Sequence, residues 1–341
     1  MIDTRAGSAQ PGGRRFWRHA GGLGVIGVII ALALGAAFMS IGHDQRPREL
    51  PTAAVGTPDT ARAVEAQAPG QLSVRAVPDR TAAQQAIAER DVYGAVVLSG
   101  QRVRELLIAS AANNGVANFL RRTLGQPTPE GVPRITDVRP LPEDDATGVD
   151  ILLLLQVLLI GGSIAVVGIG RLLPRFQGDP RRGVLPLTFL GVYAVIFGLA
   201  LTLISGAFGV GTDASFLDRV LAMALISAGV AASTAALVAL IGPAGSAVAG
   251  LLYFILGAQI SGAGTAPQFL PSFWNDLGQA LPGGAGTSLL RDVFYFPEAS
   301  TGGPIAILAV YAGAGLLVLL GLNLIRARRR VAVTASGIPR P

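Results

Sequence analysis

Runs of about 20 uncharged apolar residues recur along this chain, and that length constrains it more than any other feature. At 1.5 Å per residue, a helix of about 20 residues covers about 30 Å, the hydrocarbon thickness of a bilayer. Six such runs can be drawn: Gly21–Ile41, Val149–Gly170, Val184–Phe208, Leu217–Ile241, Ala244–Ile260 and Pro304–Ile325. The fifth is short and Gly-rich, and only Gly242-Pro243 divides it from the fourth. Charged residues are 14% of the chain, against about 25% in soluble domains. The shortage lies in these runs, because residues 43–148 have ordinary soluble composition. The expectation is an α-helical polytopic membrane protein of six transmembrane helices with a small α/β domain inserted after the first.

Positive charge gives the orientation. Thirteen Arg and two Asp lie in three segments: the N-terminal stretch, residues 171–183, and the tail from Arg326. The whole chain carries only +6, so everything between those segments is net negative. With six spans all three basic segments fall on one side, which the positive-inside rule makes cytoplasmic. The expected plan is a basic cytoplasmic segment at 1–20, a first helix at 21–42 and an extracytoplasmic domain at 43–148. Helices two to six follow at 149–325, and a basic cytoplasmic tail at 326–341. The first apolar run exceeds the core of a secretory signal and no clean A-x-A site follows, so it reads as a retained anchor. Basic rims account for the high pI, and no nucleic-acid partner is implied.

The inserted domain reads as alternating strands and helices. Strands are expected at Leu50–Gly56, Gln71–Val77, Val92–Leu98 and Val132–Pro140. Helices are expected at Pro58–Gln67, at Thr81–Arg90 (capped by Thr81 with Gln84) and at Gln101–Leu124, with an interruption near Asn113-Asn114-Gly115. Val92–Leu98 is nearly all apolar, as suits a central strand covered on both faces. Glu143-Asp144-Asp145 reads as a solvated acidic linker, with cation binding a lesser alternative.

Chemistry is conspicuous by what is missing. The chain has no cysteine, which excludes disulfides and thiolate catalysis. Every basic residue other than two histidines is Arg, so a phosphate-binding loop with its obligatory lysine cannot be present. Gly22-Leu23-Gly24-Val25-Ile26-Gly27 matches G-x-G-x-x-G but follows an Arg-rich segment instead of a strand, and reads as small residues for helix packing. No nucleophile–base cluster or metal-ligand spacing appears; neither catalysis nor a cofactor is expected. The apolar runs hold mild polar groups (Gln156, Ser163, Thr188, Ser227, Ser233, Thr234, Gln259 and Asn323) that suit interhelical hydrogen bonds. Asp150, Asp218 and Arg219 lie at run edges. Small residues at Ala228, Ala232 and Ala236, with Gly229 and Ser233 beside them, and at Ala309 and Gly313, permit close helix approach, within the chain or at a dimer seam. Residues 261–303 are too apolar for a free loop and too broken by Pro and Gly for a span. Leu270, Phe273, Trp274 and Leu277 form one stripe; Leu289, Leu290, Val293, Phe294 and Phe296 form another. Two short re-entrant or amphipathic helices at 267–296 are expected there.

These features together resemble the ABC-2 type of exporter permease. The resemblance rests on Arg14-Arg15-Phe16-Trp17-Arg18-His19 before the first span and the Arg-rich turn after the second. It rests also on Leu270-Pro271, Leu281-Pro282-Gly283-Gly284-Ala285 and Leu290-Arg291 before the last span. The large inserted domain, with Ala86-Ile87 leading into Val92-Tyr93-Gly94-Ala95-Val96-Val97, resembles the branch containing the phage-infection protein (YhgE/Pip) group. The resemblance implies the permease subunit of an ATP-driven exporter, multi-pass in a bacterial plasma membrane and in contact with its lipid, with both termini cytoplasmic. It implies a homodimer, or a heterodimer with a related permease, served by separate ATPase subunits. It implies an ATPase-coupling loop carrying Arg171, Arg175, Asp179, Arg181 and Arg182. An interfacial helix would carry Arg14, Arg15, Phe16, Trp17 and Arg18. An outer gate would carry Trp274, Asn275, Asp276, Pro282, Arg291 and Asp292. A second reading stays open: a membrane-anchored surface receptor or secretion accessory that transports nothing. The substrate is not legible.

Overall fold

The computed structural model describes residues 12–99, 102–127, 131–170 and 184–335. The chain divides into two compact units between Gln45 and Arg46. The first contains one helix, α1 (Gly12–His43), whose Ala20–His43 portion is long and apolar enough to cross a membrane. No break separates the segment from Arg14 to Arg18 from that portion; the predicted interfacial stretch and the first span are one helix.

The second unit begins with the inserted domain. Its elements are β1 (Leu50–Val55), α2 (Pro58–Glu65), β2 (Leu72–Val77), α3 (Arg80–Ala88), β3 (Gly94–Ser99), β4 (Arg102–Ile108), α4 (Asn114–Leu124) and β5 (Arg134–Asp137). The five strands form one sheet in the order β2-β1-β3-β4-β5. Pairing is parallel except between β3 and β4. β3 is central, and Ala95 and Val96 on its two faces are fully buried. On one face α2 and α4 cover Leu50, Ala54, Val96, Leu106 and Ile108. On the other, α3 covers Ala53, Ala95 and Leu107.

Two local expectations are corrected here. The helix expected over Gln101–Leu124 is a strand followed by a shorter helix. Arg102, Arg104, Glu105 and Leu106 are good helix formers, but pairing with β3 decides the matter, as tertiary context does for strands. α4 starts only after Asn113, whose side chain accepts from the Val116 amide at 3.1 Å. Likewise α3 is capped by Asp79 in place of Thr81: its carboxylate accepts from Ala82 N at 2.8 Å.

The helical part comprises α5 (Asp150–Gly170), α6 (Leu185–Ala207), α7 (Phe216–Ile241), α8 (Ala244–Ile260), α9 (Ser272–Ala280), α10 (Pro282–Tyr295) and α11 (Gly302–Ala335). With α1, five helices in the described residues are long and apolar enough to span a bilayer: α1, α5, α6, α7 and α11. The fifth expected span is not of that length. α8 has 17 residues, about 25 Å of helix against about 30 Å of hydrocarbon, and its middle, Gly250–Leu256, is wound as a π-helix. It follows α7 through Gly242, which takes the left-handed conformation that glycine accepts readily (φ 70°). α8 returns toward the sheet, where Ile260 lies against Gly278 of α9. The two short helices expected between the last spans are present as α9 and α10.

α7 is the centre of the bundle. Its apolar window is 61% buried, against 11% for α11. Close approach is made by glycines: a Cβ on Gly198 of α6 would sit 2.7 Å from Ala224 N, and one on Gly315 of α11 would overlap the backbone of Ala232. Within the chain Ala309 and Gly313 make no close helix contact: Ala309 is exposed, and nothing lies within 4 Å of a Cβ on Gly313. Ser163, Thr188 and Ser233 each donate to a carbonyl four residues back in their own helix, and Ser233 also shares a side-chain hydrogen bond with Tyr253 of α8. A hydroxyl surrounded by apolar neighbours finds its acceptor there at no cost in helix separation.

Candidate functional site

The site is the junction where the sheet domain meets the chain between α8 and α11. It is built first from apolar residues. Ala266 and Phe269 complete the core on the α2/α4 face, Phe269 packing edge-on against Phe119. Phe296, just after α10, is fully buried in the core on the α3 face. The sheet is thus gripped on both faces by the segment that carries α9 and α10.

Polar contacts fix the register of that grip. Arg90 follows α3 with φ +61°, a left-handed conformation that costs a non-glycine residue about 1 kcal/mol. There its guanidinium pairs with the Asp292 carboxylate and donates to the Ser288 carbonyl at 3.2 Å. It also lies over the Phe296 ring, 5.6 Å from the centroid. Asp292 is 4% exposed, so this is a largely desolvated pair. The adjacent Arg291, 5% exposed, donates to the carbonyls of Gly262 and Ala263, both at 2.7 Å, and so pins the irregular chain after α8 to α10. Burial pushes the Tyr93 phenol up from its ordinary value, so it is a neutral donor, and it gives its proton to Gln268 Oε1 at 2.8 Å. Arg48 donates to the Phe269 carbonyl at 3.1 Å, Asn113 donates to Gly264 at 3.4 Å, and Arg139 pairs with Glu298.

The predicted gate residues divide among these surroundings. Arg291 and Asp292 sit at the heart of the junction. Asn275 lines a polar cavity of about 320 Å³ with Arg90, Tyr93, Gln268 and Gln279, and its side-chain oxygen is buried with no hydrogen-bond partner. Pro282 is buried at the first position of α10, where its missing amide is no loss. Trp274 lies against Phe273, ring centroids 5.0 Å apart. Asp276 is exposed on α9 and takes no part in the junction. The coupling-loop residues Arg171, Arg175, Asp179, Arg181 and Arg182 lie outside the described residues.

The acidic stretch before α5 is a correction. Glu143 and Asp144 are solvated, but Asp145 is 3% exposed. Its carboxylate accepts from the amides of Val149 at 2.8 Å and Asp150 at 3.2 Å. It caps the first turn of α5, where free amides and the positive end of the helix dipole favour a carboxylate. Sequence reasoning gave no junction role to Arg48, Arg90, Tyr93, Asn113 or Gln268. Their partners lie 151 to 221 residues away, and no local pattern marks them.

Fold and site together define a polytopic helical membrane protein whose small α/β domain is clamped onto the short helices α9 and α10. No family model, no curated protein and no solved structure matches the chain.

Proposed function

We propose that the chain is the transmembrane permease subunit of an ATP-driven exporter of the ABC-2 type, with the sheet domain outside the cell membrane. One observation carries the reading: the chain between α8 and α11 is both the wall of the helical bundle and the clamp of the sheet domain. Gly286 of α10 faces Leu155 of α5 and Ile226 of α7, while Asp292, nearly two turns on, and Phe296, just past the end of the helix, hold the sheet. A re-entrant pair so placed can close a passage between helices and can be moved by a load on the outer domain. No phosphate-binding loop is available to the chain, so the energy would come from a separate ATPase subunit. The Arg-rich segment 171–183 is its natural contact, and both termini would share that side, with the short α8 serving as the return crossing between α7 and the junction.

The test is affinity purification of the full chain in mild detergent, with mass spectrometry and an ATPase assay. It is compared with a variant carrying Arg175→Glu, Arg181→Glu and Arg182→Glu. The expected result is an ATPase subunit recovered with the wild type and lost with the variant. A monodisperse preparation that brings down no ATPase would sink the export reading. The sheet domain as a receptor or secretion accessory would then stand in its place.

A further inference from the structure

A half-open cavity of about 540 Å³ lies between the first turns of α7, the second half of α10 and the start of α11. That is within the range of small-molecule sites. Its wall is apolar: Leu221 and Leu225 of α7, Leu289 and Val293 of α10, and Ile305 of α11. Its ionisable groups are all of one sign. Asp213, Asp218 and Asp292 line it, and no basic side chain does.

Asp292 is already matched by Arg90. Asp213 and Asp218 are exposed and make no ion pair among the described residues. The nearest cation in sequence, Arg219, is directed elsewhere. Its Nη1 reaches the Val210 carbonyl at 3.5 Å, and it lies 5.9 Å from the Phe216 ring centroid. The dipole of α7 favours an acidic residue at Asp218, but that does not account for Asp213, which lies outside the helix. Neither carboxylate caps α7 by a side-chain hydrogen bond. Two uncompensated carboxylates beside an apolar hollow of ligand size form a pattern with a definite complement.

We infer that this cavity binds an amphiphilic organic cation, a compact apolar body bearing a single positive charge. Burial of the body against Leu221, Leu225, Leu289, Val293 and Ile305 supplies the non-directional attraction. Asp213 and Asp218 supply charge recognition at a protein edge, where the effective dielectric is well below that of water. An anion of the same shape meets like charge and is rejected. The inference stands on the cavity and does not rest on the export reading.

The test is equilibrium binding of radiolabelled tetraphenylphosphonium to the purified full chain in detergent. Tetraphenylborate, with the same four phenyl groups and the opposite charge, is the competitor. The expected result is saturable phosphonium binding with a preference over the borate of about tenfold or more. Asp213→Asn with Asp218→Asn should weaken phosphonium binding about tenfold and remove the preference. Leu225→Trp, which fills the hollow, should weaken both ions. Equal affinity for the two ions, a preference that survives the double Asn variant, or no saturable binding would each overturn the assignment. The double Asn variant changes only exposed side chains, so it decides the matter even if Leu225→Trp fails to fold.

Discussion

Arg90 and Asp292 show how far one pair can be from anything visible in the sequence and still organise a junction. Each is desolvated, and the pair is worth little by itself beside a well-packed apolar replacement. Removing one member is another matter, since it strands a buried charge. Arg90→Met should therefore destabilise the purified protein by about 3 kcal/mol. Adding Asp292→Leu should recover most of that, and thermal unfolding across the double-mutant cycle checks it. Glu105 on β4 offers a second residue-scale test. Its carboxyl is held down to about 2, chiefly because Arg80 donates to both of its oxygens at 2.9 and 3.0 Å, with help from Thr136 at 2.8 Å. The folded form thus binds its proton less readily than an unfolded chain, whose glutamate titrates near 4.5. The stabilisation is complete above about pH 4.5 and is lost as the pH falls toward about 2. Glu105→Gln should flatten the melting temperature of the sheet domain across that window while lowering it at neutral pH. Of the residues predicted for an outer gate, Arg291 and Asp292 could be picked out because charges inside an otherwise apolar, Gly-rich stretch are rarely incidental. Asp276, on the outer surface of α9, carried the same signal without the same role.

The elements were legible where one face decides them and illegible where a distant partner does. The long apolar helices announce themselves by hydropathy, and α9 and α10 by their broken stripes. β4 did not, because its pairing with β3 reverses what its Arg, Glu and Leu residues prefer locally. The small residues of α11 show the same limit. Spacing alone proposes Ala309 and Gly313 as the close contact, but the register of α7 against α11 places Gly315 over the Ala232 backbone. Gly315→Ala should force the two helices apart and cost about 1–3 kcal/mol, whereas Gly313→Ala, with open space around it, should leave stability unchanged or slightly raised. Melting temperatures of the two variants in one detergent make the comparison. Equal losses would mean the α7–α11 register is wrong. α8 is a subtler case: its composition is that of a span, and only its length, set by the turn at Gly242 and the stop at Ile260, takes it out of that class.

At the scale of the whole molecule, the division into a membrane part and an inserted domain could be read from composition. That the domain is incomplete without the chain's last third could not. Phe296 fills one face of the sheet and Ala266 with Phe269 the other. Phe296→Ala should cost about 3–5 kcal/mol, and should raise amide hydrogen exchange in β1, β3 and α3 while leaving α5 to α7 protected. Exchange confined to the end of α10 would mean that the sheet does not depend on this side chain.

The same arrangement has a consequence in time. Arg48, Arg90, Tyr93 and Asn113 leave the ribosome 151 to 221 residues before the groups they bind. At about 5–20 residues per second, that interval is on the order of ten seconds or more. Throughout it the domain's clamping surfaces, with the pocket for Phe296 unfilled, stand bare while four more helices are made. The nascent domain is therefore expected to be a client of whatever chaperones patrol that side of the membrane. A truncation ending before residue 262 should hold it in that state, and pulse-labelling of such a chain should recover it bound to them or degraded.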